Sequence, residues 1–375
     1  MPVTAALREE LVALSREIHS DPELAHHEHR AVGRIAALLE RHGHQVERSV
    51  GGLATAFRAR VGPPGASVAL LAEYDALPDV GHGCGHNLIA MSNVGAFLIA
   101  AEAADRLQVG VEIIGTPAEE DGGGKLDLLD AGIFAPAIAV LSSHPGGNAW
   151  EAGSTTLGIV SKRIGFHGLA SHAAESPEKG RNALNAVIRL FLGVDGWRQH
   201  LPSDARVHGI ITVGGAAHNI VPSYAEAVFG MRSRDPGTLD EMVRTFTDIA
   251  EGAALQTGTT VEITDQMRLY QPTNADPVLT AVLAEELEER GIAAGRHELV
   301  HASTDLGNVS QAVPTSAIGF PIASEPIPGH SHLMRDASAS DVGHENGLVC
   351  AEVLAAVAVH VATDAALRAS LGRRS

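Results

Sequence analysis

At 375 residues the chain exceeds what one ordinary hydrophobic core accommodates, so two domains are expected. Hydrophobic residues make up 45% and charged residues 19%, a globular balance that excludes a disordered or membrane-embedded chain. Its formal charge of −18 repels phosphate backbones and anionic lipid, so neither nucleic acid nor membrane is expected as a partner.

The first twenty residues carry charges every few positions and no apolar run. A signal peptide or spanning segment is therefore not expected there, and the predicted location is cytoplasmic. Behind Thr4, Leu7, Leu11, Leu14 and Ile18 recur at helical spacing until Asp21-Pro22 stops them. A second helical stretch covers 31–40. Short apolar runs at 68–72, 109–115 and 137–141 then alternate with helical stretches at 87–106 and 126–131. That alternation predicts an α/β domain with a mixed, mostly parallel sheet covered by helices.

From Thr155 the pattern changes to strand at 155–168, helix at 181–199, strands at 207–213 and 225–233, helix at 239–255 and strand at 261–264. The βαββαβ order predicts a ferredoxin-like α+β lid or dimerisation domain over 155–269. It would interrupt a catalytic domain made of 1–154 and 270–375, which resumes with a helix at 277–290, a strand at 316–320 and a long helix bearing Cys350, Leu354, Val357 and Val361 on one face.

Potential metal ligands cluster in loops after the apolar runs: Glu73 and Asp75 in EYDALP, His82, Cys84 and His86 in GHGCGHN, Glu119 and Glu120 in TPAEED, and His144 in SSHPG. Open α/β sheets bind ligands beyond their strand ends, and thiolate, imidazole and carboxylate together suit a divalent transition ion. Neighbouring acids on extended backbone point different ways, so one of Glu119 and Glu120 can bind metal while the other takes a proton from water. Alone, Cys84 reads as a small buried hydrophobe, the acidic pair as solvated surface and a lone histidine as a satisfied imidazole. Their convergence at successive strand ends favours a site.

Motifs in order along nearly the whole chain carry a family resemblance: HSDPELAHHEHRA, EYDALPDVGHGCGHN, GTPAEEDGGGK, HPG, FHGLASHAAESPEKGRNALNA, GGAAHNIVP, STDLGNVS and GHSHLMRDASAS. The chain resembles the M20 metallopeptidases and amidohydrolases, in the branch around peptidase M20 domain-containing protein 2 and the p-aminobenzoyl-glutamate hydrolase subunits. The resemblance implies two divalent ions per subunit, Zn²⁺ or Mn²⁺ with Ni²⁺ and Co²⁺ as alternatives. Cys84 would bridge them, with His86 and His144 on one and Glu120 and His330 on the other. It implies Glu119 as general base for the metal-bridging water and Asp75 as orienter of a ligand from behind.

On the lid, His172 would stabilise the oxyanion in a neighbouring subunit, making a homodimer part of the catalyst, and Asn219 and Arg232 would contact the substrate's amide oxygen and carboxylate. The implied reaction is hydrolysis of an N-acyl amino acid or dipeptide, a small amide with a free carboxylate. The alternatives are a non-catalytic accessory subunit and a hydrolase of a non-peptidic C–N bond. Two departures bear on this. Met334 stands where an aromatic residue is usual, so His332 competes with His330, and Asn87 replaces an Asp, which points to the dipeptidase and aminobenzoyl-glutamate branch.

Overall fold

The computed structural model describes residues 2–146, 148–153, 155–296 and 302–372. They form two compact units, one of Met1–Thr155, Thr273–Val300 and Thr304–Ser375, the other of Thr156–Pro272 with His301–Ser303.

The first unit opens with α1 (Ala5–Ser20), whose Thr4 hydroxyl accepts the Leu7 N–H, and α2 (His29–Arg41). Next come β1 (Val46–Arg48), β2 (Phe57–Val61), β3 (Ser67–Ala72), α3 (His86–Ala101), β4 (Gly110–Gly115), α4 (Gly124–Asp130), β5 (Ala137–Pro145) and β6 (Glu151–Ala152). In the second unit β7 (Gly158–His167), α5 (Ala183–Arg198), β8 (Arg206–Val213), β9 (Tyr224–Ser233), α6 (Pro236–Thr257) and β10 (Thr260–Asp265) follow. The chain then completes the first unit with α7 (Pro277–Glu289), β11 (Gly295–Arg296), α8 (Leu306–Ala312), β12 (Thr315–Phe320), α9 (His332–Ala337), α10 (Asp341–Thr363) and α11 (Ala365–Ser370).

The first unit's sheet runs β1-β2-β4-β3-β5-β12-β6-β11. Its centre is parallel, β4 with β3, β3 with β5 and β5 with β12, while β1–β2, β2–β4 and β12–β6 are antiparallel. Every residue of β3 and β4 is buried, as a sheet covered on both faces requires. The one charge among them, Glu112, pairs with Arg60 of β2. Helix α3 is buried from His86 to Ala100, all round, because it lies between the sheet and other helices. Helix α10 is long and apolar enough to cross a membrane, but its Cys350, Leu354, Val357 and Val361 face is buried in this core.

In the second unit the sheet order is β10-β7-β9-β8, all antiparallel, with α5 and α6 packed on it around Phe166, Leu190, Phe229 and Phe246. Strand order 4-1-3-2 within βαββαβ is the ferredoxin-like arrangement. Two details differ from the sequence pattern. Helix α3 stops at Ala101 and a separate 3₁₀ turn covers Ala104–Arg106, while β5 extends to Pro145 because β12 pairs with it through that residue.

Candidate metal centre

Three parallel strands deliver the donors. Glu73 and Asp75 follow β3, Glu119 and Glu120 follow β4, and His144 lies near the end of β5. Cys84 and His86 enter from the turn that starts α3. Gly85 separates them with φ +80, and a Cβ there would stand 2.6 Å from Pro145, so the close approach of this turn to β5 requires glycine. His330 comes from the loop before α9, also left-handed at φ +55, its N–H donating to the Gly83 carbonyl at 2.9 Å.

Buried His86 donates its Nδ1–H to the Asp75 carboxylate at 2.9 Å, which leaves Nε2 facing the acidic loop. From Nε2 the nearest oxygens of Glu73, Glu120 and Glu119 are 3.7, 3.8 and 3.9 Å away. His144 Nδ1 donates to the Pro145 carbonyl at 2.8 Å, and its Nε2 lies 3.4 Å from Cys84 Sγ. His330 Nε2 lies 3.3 Å from Glu120 Oε2. Two three-residue donor groups result, Cys84–His86–His144 and Cys84–Glu120–His330, and Cys84 belongs to both. A third group, His86–Glu119–Glu120, overlaps them.

The arrangement fits divalent cations. His86 Nε2 and Glu120 Oε1 are buried without a hydrogen-bond partner among the described residues, which a protein rarely tolerates unless something else satisfies them. Burial pushes the Cys84 thiol up to about 12 although His86 pulls the other way, so a cation is what would hold it as the thiolate. Asp75 ties two of the donors together, one oxygen on His86 and the other accepting the Glu120 N–H at 2.9 Å. His332 instead faces Arg335 at 3.1 Å and belongs to no donor group. His82 is buried against His19 and also lies outside the donor groups, its pKa lowered to about 3 by burial.

Beside the donors sits a buried charge cluster. Lys125 at the start of α4 is fully buried, with its ammonium 2.9 Å from Glu73 and 2.5 Å from Asp305. Burial opposes its charge, but Asp305, Glu73 and Glu119 overcome that and keep it protonated. Glu119 shows the opposite balance. Burial, then the negative charges of Glu73 and Asp305, raise its carboxyl well above the usual range despite Lys125 and His86. A carboxyl raised in this way takes a proton more readily than an ordinary carboxylate does.

The other predicted residues lie in the second unit. His172 is exposed, and its Nδ1 accepts from the N–H groups of Ala174 and Glu175 at 3.3 and 3.1 Å. Asn219 is exposed, its carbonyl accepting from Ala173 N–H at 3.0 Å. Half-buried Arg232 donates to Ser303 Oγ at 2.9 Å and has no carboxylate partner among the described residues; burial lowers its pKa.

The sequence pattern of Peptidase family M20/M25/M40 matches residues 69–360. The chain belongs to that family. It is thereby placed among hydrolases acting on amide bonds. A mouse Xaa-Arg dipeptidase is 37% identical, with 96% of this chain and 87% of that protein aligned. A p-aminobenzoyl-glutamate hydrolase subunit from Escherichia coli is 28% identical over 96% of this chain and 90% of its own length. Among solved structures, a dinuclear metal-binding M20 peptidase from Bacillus subtilis superposes with TM-score 0.77 at 19% identity, covering 96% of this chain and 99% of that one. An aminobenzoyl-glutamate utilization protein from Klebsiella pneumoniae gives 0.76 at 19%, covering 96% and 97%. At that identity the structures speak for the shared M20 fold.

The sequence alone gives Lys125 and Asp305 of this M20 chain no role. The signals were GGGK directly after the acidic pair and the aspartate of STDLGNVS, both visible as motifs. Neither shows that a lysine and an aspartate 180 positions apart meet in the core.

Proposed function

We propose that the protein hydrolyses the amide bond of a dipeptide or N-acyl amino acid with a free carboxylate, with two divalent ions that Cys84 and its neighbouring donors would hold. The observation that carries this reading is Cys84's place in both donor groups, with Glu119 against them. His86 and His144 would hold one ion, Glu120 and His330 the other, with Zn²⁺ or Mn²⁺ suiting this mixed donor set. Bound there, the ions would polarise the scissile carbonyl and acidify water.

The chain's own residues do the rest. Glu119 takes a proton from the attacking water and delivers it to the leaving amine. His172 has Nδ1 occupied as an acceptor, so neutral imidazole carries its proton on Nε2, the form that donates to an oxyanion. Arg232, with no carboxylate partner among the described residues, takes the substrate's carboxylate, and Asn219 its amide oxygen. In this reading the second unit is a lid and a dimerisation surface. Its edge strand β8 leaves Ile210 64% exposed and α5 leaves Leu192 57% exposed, apolar area that a second copy would cover so that His172 acts in trans.

Similarity to the Xaa-Arg dipeptidase favours dipeptides with a basic C-terminal residue. Purified protein stripped of metal and titrated with Zn²⁺ or Mn²⁺ is expected to bind about two ions per chain, run as a dimer by light scattering and cleave such dipeptides. Two bound ions with no cleavage of any dipeptide, N-acyl amino acid or aminobenzoyl-glutamate would favour an accessory subunit instead. Arg232→Ala is expected to raise KM about 10- to 100-fold, the worth of a charge-assisted pair. Arg232→Lys should recover only part of this. Equal effects on substrates whose carboxylate is blocked as an amide would remove Arg232 from that role.

A further inference from the structure

The charged string His26-His27-Glu28-His29-Arg30 has no part in the proposed chemistry, yet it is built into the loops that carry it. Glu28 is completely buried, and its Oε1 accepts the Ala118 N–H at 2.9 Å. Ala118 immediately precedes Glu119 and Glu120, and it is left-handed at φ +59, a conformation that side chains with a Cβ rarely adopt. Its carbonyl accepts the Gly123 N–H at 2.9 Å, so the turn closes on itself directly after the constrained residue.

The same N-terminal segment touches this loop a second time. A Cβ at Gly122 would come within 2.4 Å of the His26 ring, so His26 occupies the space over that glycine. The segment also braces the neighbouring loop, because Ala76 N–H donates to the Glu23 carbonyl at 2.8 Å and Leu24 bridges to Ala76. One strap therefore holds the loops that end β3 and β4. Buried strain of this kind persists only where the surroundings over-determine it.

We infer that Glu28 is a positioning residue: by holding the Ala118 N–H it fixes the left-handed turn that aims Glu119 and Glu120. This rests on the proposed roles of those two glutamates, but the turn itself is testable without them. A misaimed general base loses rate more than binding, since an error of about 1 Å costs on the order of 100-fold. Glu28→Gln keeps an acceptor oxygen and should stay within a few-fold of wild type. Glu28→Leu removes it, and Glu28→Asp pulls the carboxylate back by one methylene while keeping charge and solubility.

Glycine reaches positive φ without Cβ strain, so Ala118→Gly should restore the turn where Glu28 no longer imposes it. The experiment measures hydrogen exchange of the 118–122 amides in metal-free protein, together with kcat and KM of metal-loaded protein, for each variant with and without Ala118→Gly. Faster exchange at 118–122 is expected in Glu28→Leu and Glu28→Asp, with kcat down about 100-fold and about 10-fold, KM little changed, and both restored by Ala118→Gly. A residue that merely fills space would not be rescued by a backbone change at position 118. Wild-type exchange in Glu28→Asp, equal impairment of Glu28→Gln and Glu28→Asp, or no recovery in the double variants would overturn the inference. If Glu28→Leu fails to fold, Glu28→Asp carries the test. If wild type cleaves no amide, the functional reading fails while the exchange measurement still decides this one.

Discussion

Glu119→Gln is expected to lower kcat about 1000-fold while leaving metal content unchanged. Gln has nearly the same shape, so it fills the same space beside His86 but takes no proton from water. The proposed ligands Cys84, His86, Glu120, His144 and His330 remain, so bound metal by elemental analysis should match wild type. The same variant probes the proposed trans role of His172. Mixed and re-equilibrated with inactive His172→Ala, half the dimers would be hybrids with one complete site, returning roughly a quarter of wild-type activity by simple statistics. Near-wild-type turnover of Glu119→Gln with metal bound would end the mechanism. Absent complementation would return His172 to its own subunit.

Lys125→Met is expected to cost about 3 to 5 kcal/mol of stability, because removing one partner of a buried ion cluster strands the others. Lys125 is fully buried with Glu73 and Asp305 on its ammonium, and Asp305 also accepts the Lys125 backbone N–H at 3.1 Å. Without the lysine two carboxylates would face each other away from water. Asp305 is the one whose carboxyl burial already pushes up to about 6 against Lys125. Replacing both partners, Lys125→Met with Asp305→Leu, should recover part of the loss in denaturant unfolding. A double variant no more stable than the single would show that the cluster is not the source of the effect.

The parallel centre of the first sheet was legible because the runs at 68–72, 109–115 and 137–141 are apolar but for Glu112 and are separated by helical periodicity. The antiparallel rim was not. Strand β2 reads Phe-Arg-Ala-Arg-Val, and its two arginines conceal a strand that buries only Phe57 and Ala59 fully. The donor residues were readable as motifs in loops after strands, since a thiol, imidazoles and paired acids seldom accumulate there by chance. What the sequence hid was buried charge. Lys125 follows an Asp-Gly-Gly-Gly run that looks like an exposed loop, and Glu28 sits in a string of histidines and charges that looks like surface. Burial of either depends on distant partners, Ala118 standing 90 positions from Glu28 and Asp305 180 from Lys125, and local pattern carries no trace of them. That His330 and not His332 stands with Cys84 and Glu120 likewise depends on a backbone turn at φ +55, which residue types do not announce.

The sheet order also dictates when this protein can finish assembling. Strand β12 lies between β5 and β6, and α10 closes over α3, so two central pieces of the first unit are synthesised only after the whole second unit. Until then β5 presents an open edge and α3 a bare apolar surface, in a nascent chain whose second unit has already left the ribosome. The long separation between pairing partners predicts slow completion of the first unit, and dependence on chaperones until β5 and α3 are covered.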